Sequence, residues 1–143
     1  MFLGENRHNV DGKGRIVLPR RYRPQLPEGC VVTKGRDGQL MIYPPTVYEA
    51  RAQEVMGRTQ DKAGRRFART FFAAADELEP DSAGRLLIRE ELRQFAELAL
   101  GSEAVVIGVF DHIEVWNTDR YDAQIELAEE EYMADDEEDD PRH

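Results

Sequence analysis

Residues 11–19 read DGKGRIVLP and residues 81–89 read DSAGRLLIR. Asp, Gly and Arg hold the same places in both stretches, three apolar residues follow each time, and the offset is 70. The likeness resumes at an offset of 73, where VVTKGRDGQLMIYPPTVYEA (31–50) aligns with AVVIGVFDHIEVWNTDRYDA (104–123). In that alignment Val32 meets Val105, Ile42 meets Val115, Tyr43 meets Trp116 and Tyr48 meets Tyr121. Self-similarity on this scale means one supersecondary unit used twice, each copy too small to bury its apolar face alone.

Each unit has the same predicted content. A Gly-containing turn leads into a short apolar strand, Ile16–Leu18 or Leu86–Ile88. A short helix follows, opened in the first copy by Pro19 and marked in the second by Leu92, Phe95 and Ala99 at helical spacing. Two apolar runs then meet at a tight turn, Asp37-Gly38 in the first copy and Asp111-His112 in the second. A helix closes each unit, with Thr46 and Glu49 as a capping box and Thr118 or Asp119 as the second cap. The pattern predicts a first unit over 1–50, a helical connector over 51–77, a second unit over 78–123 and an acidic tail over 124–143. In the connector, Ala63, Phe67, Phe71 and Ala74 share one helical face, and Lys62, Arg65, Arg66 and Arg69 gather on another, read as a solvated surface. The tail has too little apolar surface to fold, so disorder is expected there.

Charge is distributed unevenly. The chain carries −10 overall, but residues 1–75 hold +7, residues 76–125 hold −8 and residues 126–143 hold −9. The first part can face a polyanion although the whole chain is acidic. With no run of about twenty apolar residues, no membrane span is expected. Nor does a basic segment lead into an apolar run near the N-terminus. The lone cysteine, Cys30, has no internal disulfide partner, and these features together favour a reducing cytoplasm.

Little in the sequence suggests catalysis. The GKG of residues 12–14 lacks the upstream glycine and the following Ser or Thr of a phosphate-binding loop. His8, Cys30 and His112 have no metal-ligand spacing, Cys30 beside Val31 and Val32 reads as a small core residue, and no nucleophile elbow occurs. No enzyme activity, cofactor or metal is expected.

The repeated turn has a structural role available: Asp11 and Asp81 brace the backbone, and Gly14 and Gly84 supply its conformation. That leaves Lys13, Arg15, Arg20, Arg21 and Arg23, five bases within eleven residues. Such a cluster matches the footprint of a protein that reads a phosphate backbone, and arginine also reads guanine edges bidentately.

DGKGRIVLPRRYR, the GRLLI of the second copy and the join FFAAADELEPDSAGR resemble the MraZ family over residues 1 to about 125. The resemblance implies an α+β fold of two tandem, pseudo-symmetric swapped-hairpin units of the SpoVT-AbrB class with flanking helices. It further implies a ring-shaped homo-oligomer, octamer- or dodecamer-like, and a cytoplasmic, nucleoid-associated transcriptional regulator of the bacterial division and cell-wall gene cluster. Its partner would be double-stranded DNA with directly repeated promoter boxes. Carried over, the DNA-binding positions are Lys13, Arg15 and Arg85, joined by Arg20 and Arg21 from the basic cluster, while Asp11, Gly14, Asp81 and Gly84 brace the turns. At the place of Lys13 the second copy has Ala83. Two rivals stand beside this reading, a protein-binding scaffold and an antitoxin-like dimer of the same fold.

Overall fold

The computed structural model describes residues 1–138. The strands are β1 (Glu5–Asn9), β2 (Arg15–Val17), β3 (Cys30–Lys34), β4 (Leu40–Tyr43), β5 (Asp76–Leu78), β6 (Arg85–Leu87), β7 (Glu103–Val109) and β8 (His112–Asn117). The helices are α1 (Pro45–Met56), α2 (Lys62–Ala73), α3 (Glu90–Phe95) and α4 (Thr118–Glu138), with a 3₁₀ helix over Arg20–Gln25.

Six strands form one antiparallel sheet in the order β1-β7-β8-β4-β3-β5. The repeat pairs β1 with β5, β3 with β7 and β4 with β8, so this order reads the same from either edge. Its approximate two-fold axis passes between β4 and β8, where Leu40 faces Val115 and Ile42 faces Ile113. The first strand of each half lies against the hairpin of the other half. Asn6 pairs with Val106 on β7, and Leu78 pairs with Cys30 on β3. The short strands β2 and β6 pair with each other across the same axis, Ile16 opposite Leu86. The halves are therefore exchanged into one body.

One core results. Ile16, Leu18, Leu86 and Ile88 pack with Val32, Leu40, Ile42, Val106, Ile113 and Val115, all of them fully buried or nearly so. Each such side chain is worth roughly 1.5–3 kcal/mol of burial. The opposite face of the sheet is covered by helices. Tyr43 packs with Val55 of α1 and with Ala68 and Phe71 of α2, and Val105 and Trp116 pack with Tyr121 of α4. With both faces covered, β3 and β7 read as continuous apolar runs rather than alternating ones. Cys30 lies in the core, and burial pushes its thiol pKa up to about 12, which leaves it inert as a nucleophile.

Several expectations need correction. The short strands begin one residue earlier than predicted, at Arg15 and Arg85, because the arginine backbone already joins the turn. The helix after Tyr43 starts at Pro45 with Pro44 as its cap and no side-chain cap, so Thr46 and Glu49 form no capping box. Proline's fixed φ suits the first helical position without one. Asn117 Oδ1 accepts from Arg120 N at 3.0 Å, taking the capping place expected of Thr118 or Asp119. The second hairpin turns on Phe110-Asp111, not on Asp111-His112. The expected helical connector ends in a strand, β5, drawn into the sheet by the edge of β3.

The tail expected to be disordered continues α4 as far as Glu138; residues 139–143 lie outside the described residues. Tyr121 and Ile125 anchor the start of that helix, and glutamate and alanine carry it on with good helix propensity. Of the basic face of α2, Arg65 turns inward to donate to the carbonyls of Thr59 and Gln60, while Lys62, Arg66 and Arg69 are exposed.

A buried histidine gives the sheet a pH response. His112 lies tilted against Tyr43 of β4 and has both ring nitrogens on carboxylates, Nδ1 at 2.8 Å from Asp111 and Nε2 at 2.9 Å from Glu114. Burial alone lowers its pKa, but the hydrogen bonds and charges of Glu114 and Asp111 outweigh burial and hold it above the ordinary value. A raised folded pKa stabilises fully below the unfolded pKa of about 6.5 and ceases to as pH rises through the folded value. Thermal unfolding followed from pH 6 to pH 8, below the range in which the Cys30 thiol ionises in the unfolded chain, is expected to show this fall in the wild type and to be nearly flat in His112→Gln.

Candidate nucleic-acid interface

Each turn is built around its aspartate. Asp11 Oδ1 accepts from the backbone N–H of Lys13 at 2.9 Å and of Arg15 at 2.8 Å, and Oδ2 accepts from Arg15 Nε at 2.6 Å. Asp81 repeats the pattern with Ala83 N at 3.0 Å, Arg85 N at 2.9 Å and Arg85 Nε at 2.8 Å. The backbone N–H of Arg15, foremost, holds the Asp11 carboxyl down at about 2, with the Arg15 guanidinium and Lys13 N–H adding to it. The Asp81 carboxyl is lowered for the same reasons. These contributions to stability are present above the ordinary carboxylate pKa and are lost as pH falls towards the folded value.

Pairing of β2 with β6 then sets the two turns against each other. Ile16 and Leu86 point into the core, so Arg15, Val17, Arg85 and Leu87 share the outer face of the ladder. Arg15 sits opposite Leu87 and Arg85 opposite Val17. The two arginines are diagonal neighbours across the ladder, within reach of one ligand for side chains this long. In each, Nε is engaged by its own aspartate, and neither Nη makes a hydrogen bond among the described residues. The outcome is a pair of guanidinium forks fixed at their root and open at the tip, a geometry suited to phosphate or to a base edge. Leu87, 56% exposed, adds an apolar surface beside Arg15.

The remaining basic residues are not gathered at one place. Lys13 is exposed on the first turn, and Ala83 stands at its position on the second. Arg20 is exposed on the 3₁₀ helix and forms no side-chain hydrogen bond among the described residues. Arg21 is tied elsewhere, donating to the Leu3 carbonyl at 3.1 Å while its guanidinium lies over the Tyr22 ring. Arg23 is structural: its guanidinium donates to the Leu18 carbonyl through Nε at 3.3 Å and Nη2 at 3.1 Å.

Arg93 does the same in the second half, where its Nε donates to the Ile88 carbonyl at 2.9 Å. Each of these arginines also covers the glycine of the other half's turn, Arg23 over Gly84 and Arg93 over Gly14. Gly14 and Gly84 have φ of 87° and 77°, the left-handed region that favours glycine. These cross-braces complete the site, and reading residues 11–19 against 81–89 stops short of them. The signal was present, because Arg23 and Arg93 are separated by the same offset of 70.

Comparison with known proteins gives one family. A sequence model described as "MraZ protein, putative antitoxin-like" matches residues 1–70 and again residues 71–143. Two curated relatives are each named transcriptional regulator MraZ. The protein of Desulforamulus reducens is 40% identical over 132 residues, covering 90% of this chain and 92% of its own length. That of Saccharopolyspora erythraea is 38% identical over 133 residues, covering 92% of each.

Proposed function

The chain belongs to the MraZ family, and from that premise we propose that it regulates transcription by setting the paired Asp–Arg turns of several identical subunits against repeated boxes in duplex DNA. It is a regulator and not an enzyme. The observation that supports the site is the outer face of the β2–β6 ladder, where Arg15 and Arg85 are fixed through Nε with both forks open. Lys13 adds a phosphate contact from the first turn, and Arg20, the unengaged base of the 3₁₀ helix, extends it. Arg21 contributes charge at longer range, since its side chain is held by Leu3.

One ladder offers few contacts. A closed ring of subunits repeats it by rotation, and modest contacts spaced to match directly repeated boxes reinforce one another through effective concentration. In this reading the boxes lie in the promoter of the division and cell-wall gene cluster, and the protein works in the cytoplasm on the nucleoid. No described helix is long and apolar enough to cross a membrane.

The test is a salt titration of binding to a duplex bearing the repeats and to a scrambled one. Lys13→Ala is expected to weaken both alike and to lower the slope of log affinity against log salt by about 0.9 for each phosphate no longer neutralised. A slope equal to that of the wild type would remove Lys13 from the interface. Binding that survives high salt with no preference for duplex DNA would instead favour a protein-binding scaffold, and a native particle of two chains would favour an antitoxin-like dimer.

A further inference from the structure

The β2–β6 ladder is a two-stranded ribbon tied down at both ends. Leu18 N donates to the Gly84 carbonyl at 2.9 Å and Ile88 N to the Gly14 carbonyl at 3.0 Å, so each strand runs on against the turn of the other half. A two-stranded ribbon is one of the shapes that the major groove of DNA admits. Side chains alternate along it: Ile16 and Leu86 are buried, and the outward row consists of two arginines and two apolar residues. An antiparallel face turned to water ordinarily carries polar residues.

The two apolar residues hold equivalent places in the repeat but differ in exposure. Val17 stands opposite Arg85 and is half-buried, whereas Leu87 stands opposite Arg15 and is exposed. A solitary exposed leucine is ordinary on a protein surface. Its neighbours set this one apart. It precedes Ile88, whose bond to Gly14 holds it beside the first turn, the turn that carries Lys13 as well as Arg15. Directly opposite residues are the nearest cross-strand neighbours, so the open fork of Arg15 and the Leu87 side chain face outward together. The backbone of Leu87 is fixed, while its side chain belongs to none of the apolar clusters of the fold.

Arginine and leucine recognise different features of a base edge. Guanine offers O6 and N7 as acceptors to a guanidinium, and thymine offers its C5 methyl group to an apolar side chain. We infer that Leu87 is a specificity-determining residue, packing on the C5 methyl of a thymine next to the base pair that Arg15 reads. The first site is then built from both halves of the chain, with charge and fork from one and apolar contact from the other. Val17, shorter and half-buried, gives the second site less reach. This inference rests on the reading of Arg15 as a base contact and adds a second feature of the same box.

The test replaces thymine by uracil, which removes the methyl group and keeps the base pairing. Binding of the full chain is measured on repeated-box duplexes in which each thymine position of the boxes carries uracil in turn, with uracil outside the boxes as the control. One position is expected to matter, by about four-fold in affinity for each box engaged, the worth of one methyl-sized group removed from water. Leu87→Ser is expected to bind the thymine and uracil duplexes alike. Leu87→Met keeps an apolar side chain of similar reach and is expected to keep the preference. Because Leu87 is exposed, both variants should retain the wild-type thermal midpoint and native mass. If Arg15→Ala loses preference for the box while no uracil position alters wild-type affinity, this inference alone is overturned. A thymine preference that Leu87→Ser retains gives the methyl to another residue and also overturns it. So does a Leu87→Ser particle of altered mass, which assigns the leucine to a contact between copies. If Arg15→Ala leaves the box preference intact, the underlying reading of the turn falls, and this inference with it.

Discussion

Arg15→Ala is expected to reduce the preference for the repeated box over scrambled duplex by roughly 5- to 150-fold, about 1–3 kcal/mol for the removal of one bidentate pairing with a base. The fold should survive. Asp11 keeps its two backbone donors, Lys13 N and Arg15 N, so the turn retains its geometry without the guanidinium. The ion pair that is removed is partly exposed and contributes little by itself. Arg15→Lys separates charge from shape, because lysine keeps the attraction to phosphate and loses the planar fork. It is expected to bind scrambled duplex nearly as well as the wild type and to discriminate as poorly as the alanine variant. Arg85→Ala should act in the same direction with a smaller loss of total affinity, because its turn carries Ala83 where the first carries Lys13. If Arg15→Ala leaves the ratio of specific to scrambled affinity intact, the turn is a brace and the reading of it as a DNA contact fails.

Gly84→Ala is expected to cost on the order of 2–5 kcal/mol of folding stability, read as a fall in the denaturation midpoint without a change in slope. Part of this arises in the backbone, since φ of 77° costs an L-residue roughly 1–2 kcal/mol. The rest arises across the axis: the added Cβ meets the guanidinium of Arg23, which must leave the Leu18 carbonyl and strand a partly buried acceptor, at roughly 1–3 kcal/mol. The second part is shared with Arg23, so a double-mutant cycle decides it. Arg23→Ala in the Gly84→Ala background should cost clearly less than in the wild type. Additive costs would mean that the two halves do not brace each other at this point.

The repeat carried much of the fold in plain view. Asp, Gly and Arg at a fixed offset specify two equal turns because each residue type has a local task there: a carboxylate to gather N–H donors, a glycine for positive φ, an arginine to close on the carboxylate. The same offset names Arg23 and Arg93 as a matched pair, although their partners are carbonyls and glycines of distant turns. Arg20 and Arg21 illustrate the limit. Neighbours in a basic run, they part company in three dimensions, because Arg21 is drawn to the Leu3 carbonyl while Arg20 is not. The acidic tail misled for a related reason: its composition favours disorder, but Tyr121 and Ile125 nucleate a helix that glutamate and alanine then continue.

By itself the sequence determined that there are two like units, where their turns and, to within a residue, their hairpins fall, that the basic residues gather in the first, and which family the chain resembles. It did not determine which strands meet. β1 suits β3 and β7 equally by residue type, and only closure of a common core places it on β7, leaving β5 for β3. That choice brings β2 onto β6, and this pairing alone puts Arg15 and Arg85 on one face. Tertiary structure likewise set the hairpin tips apart, leaving Phe110 exposed at one and placing Lys34 and Arg36 over aromatic rings at the other. Both outcomes rest on contacts between residues far apart in the chain, and local propensity, the same in both copies of a repeat, does not distinguish between them.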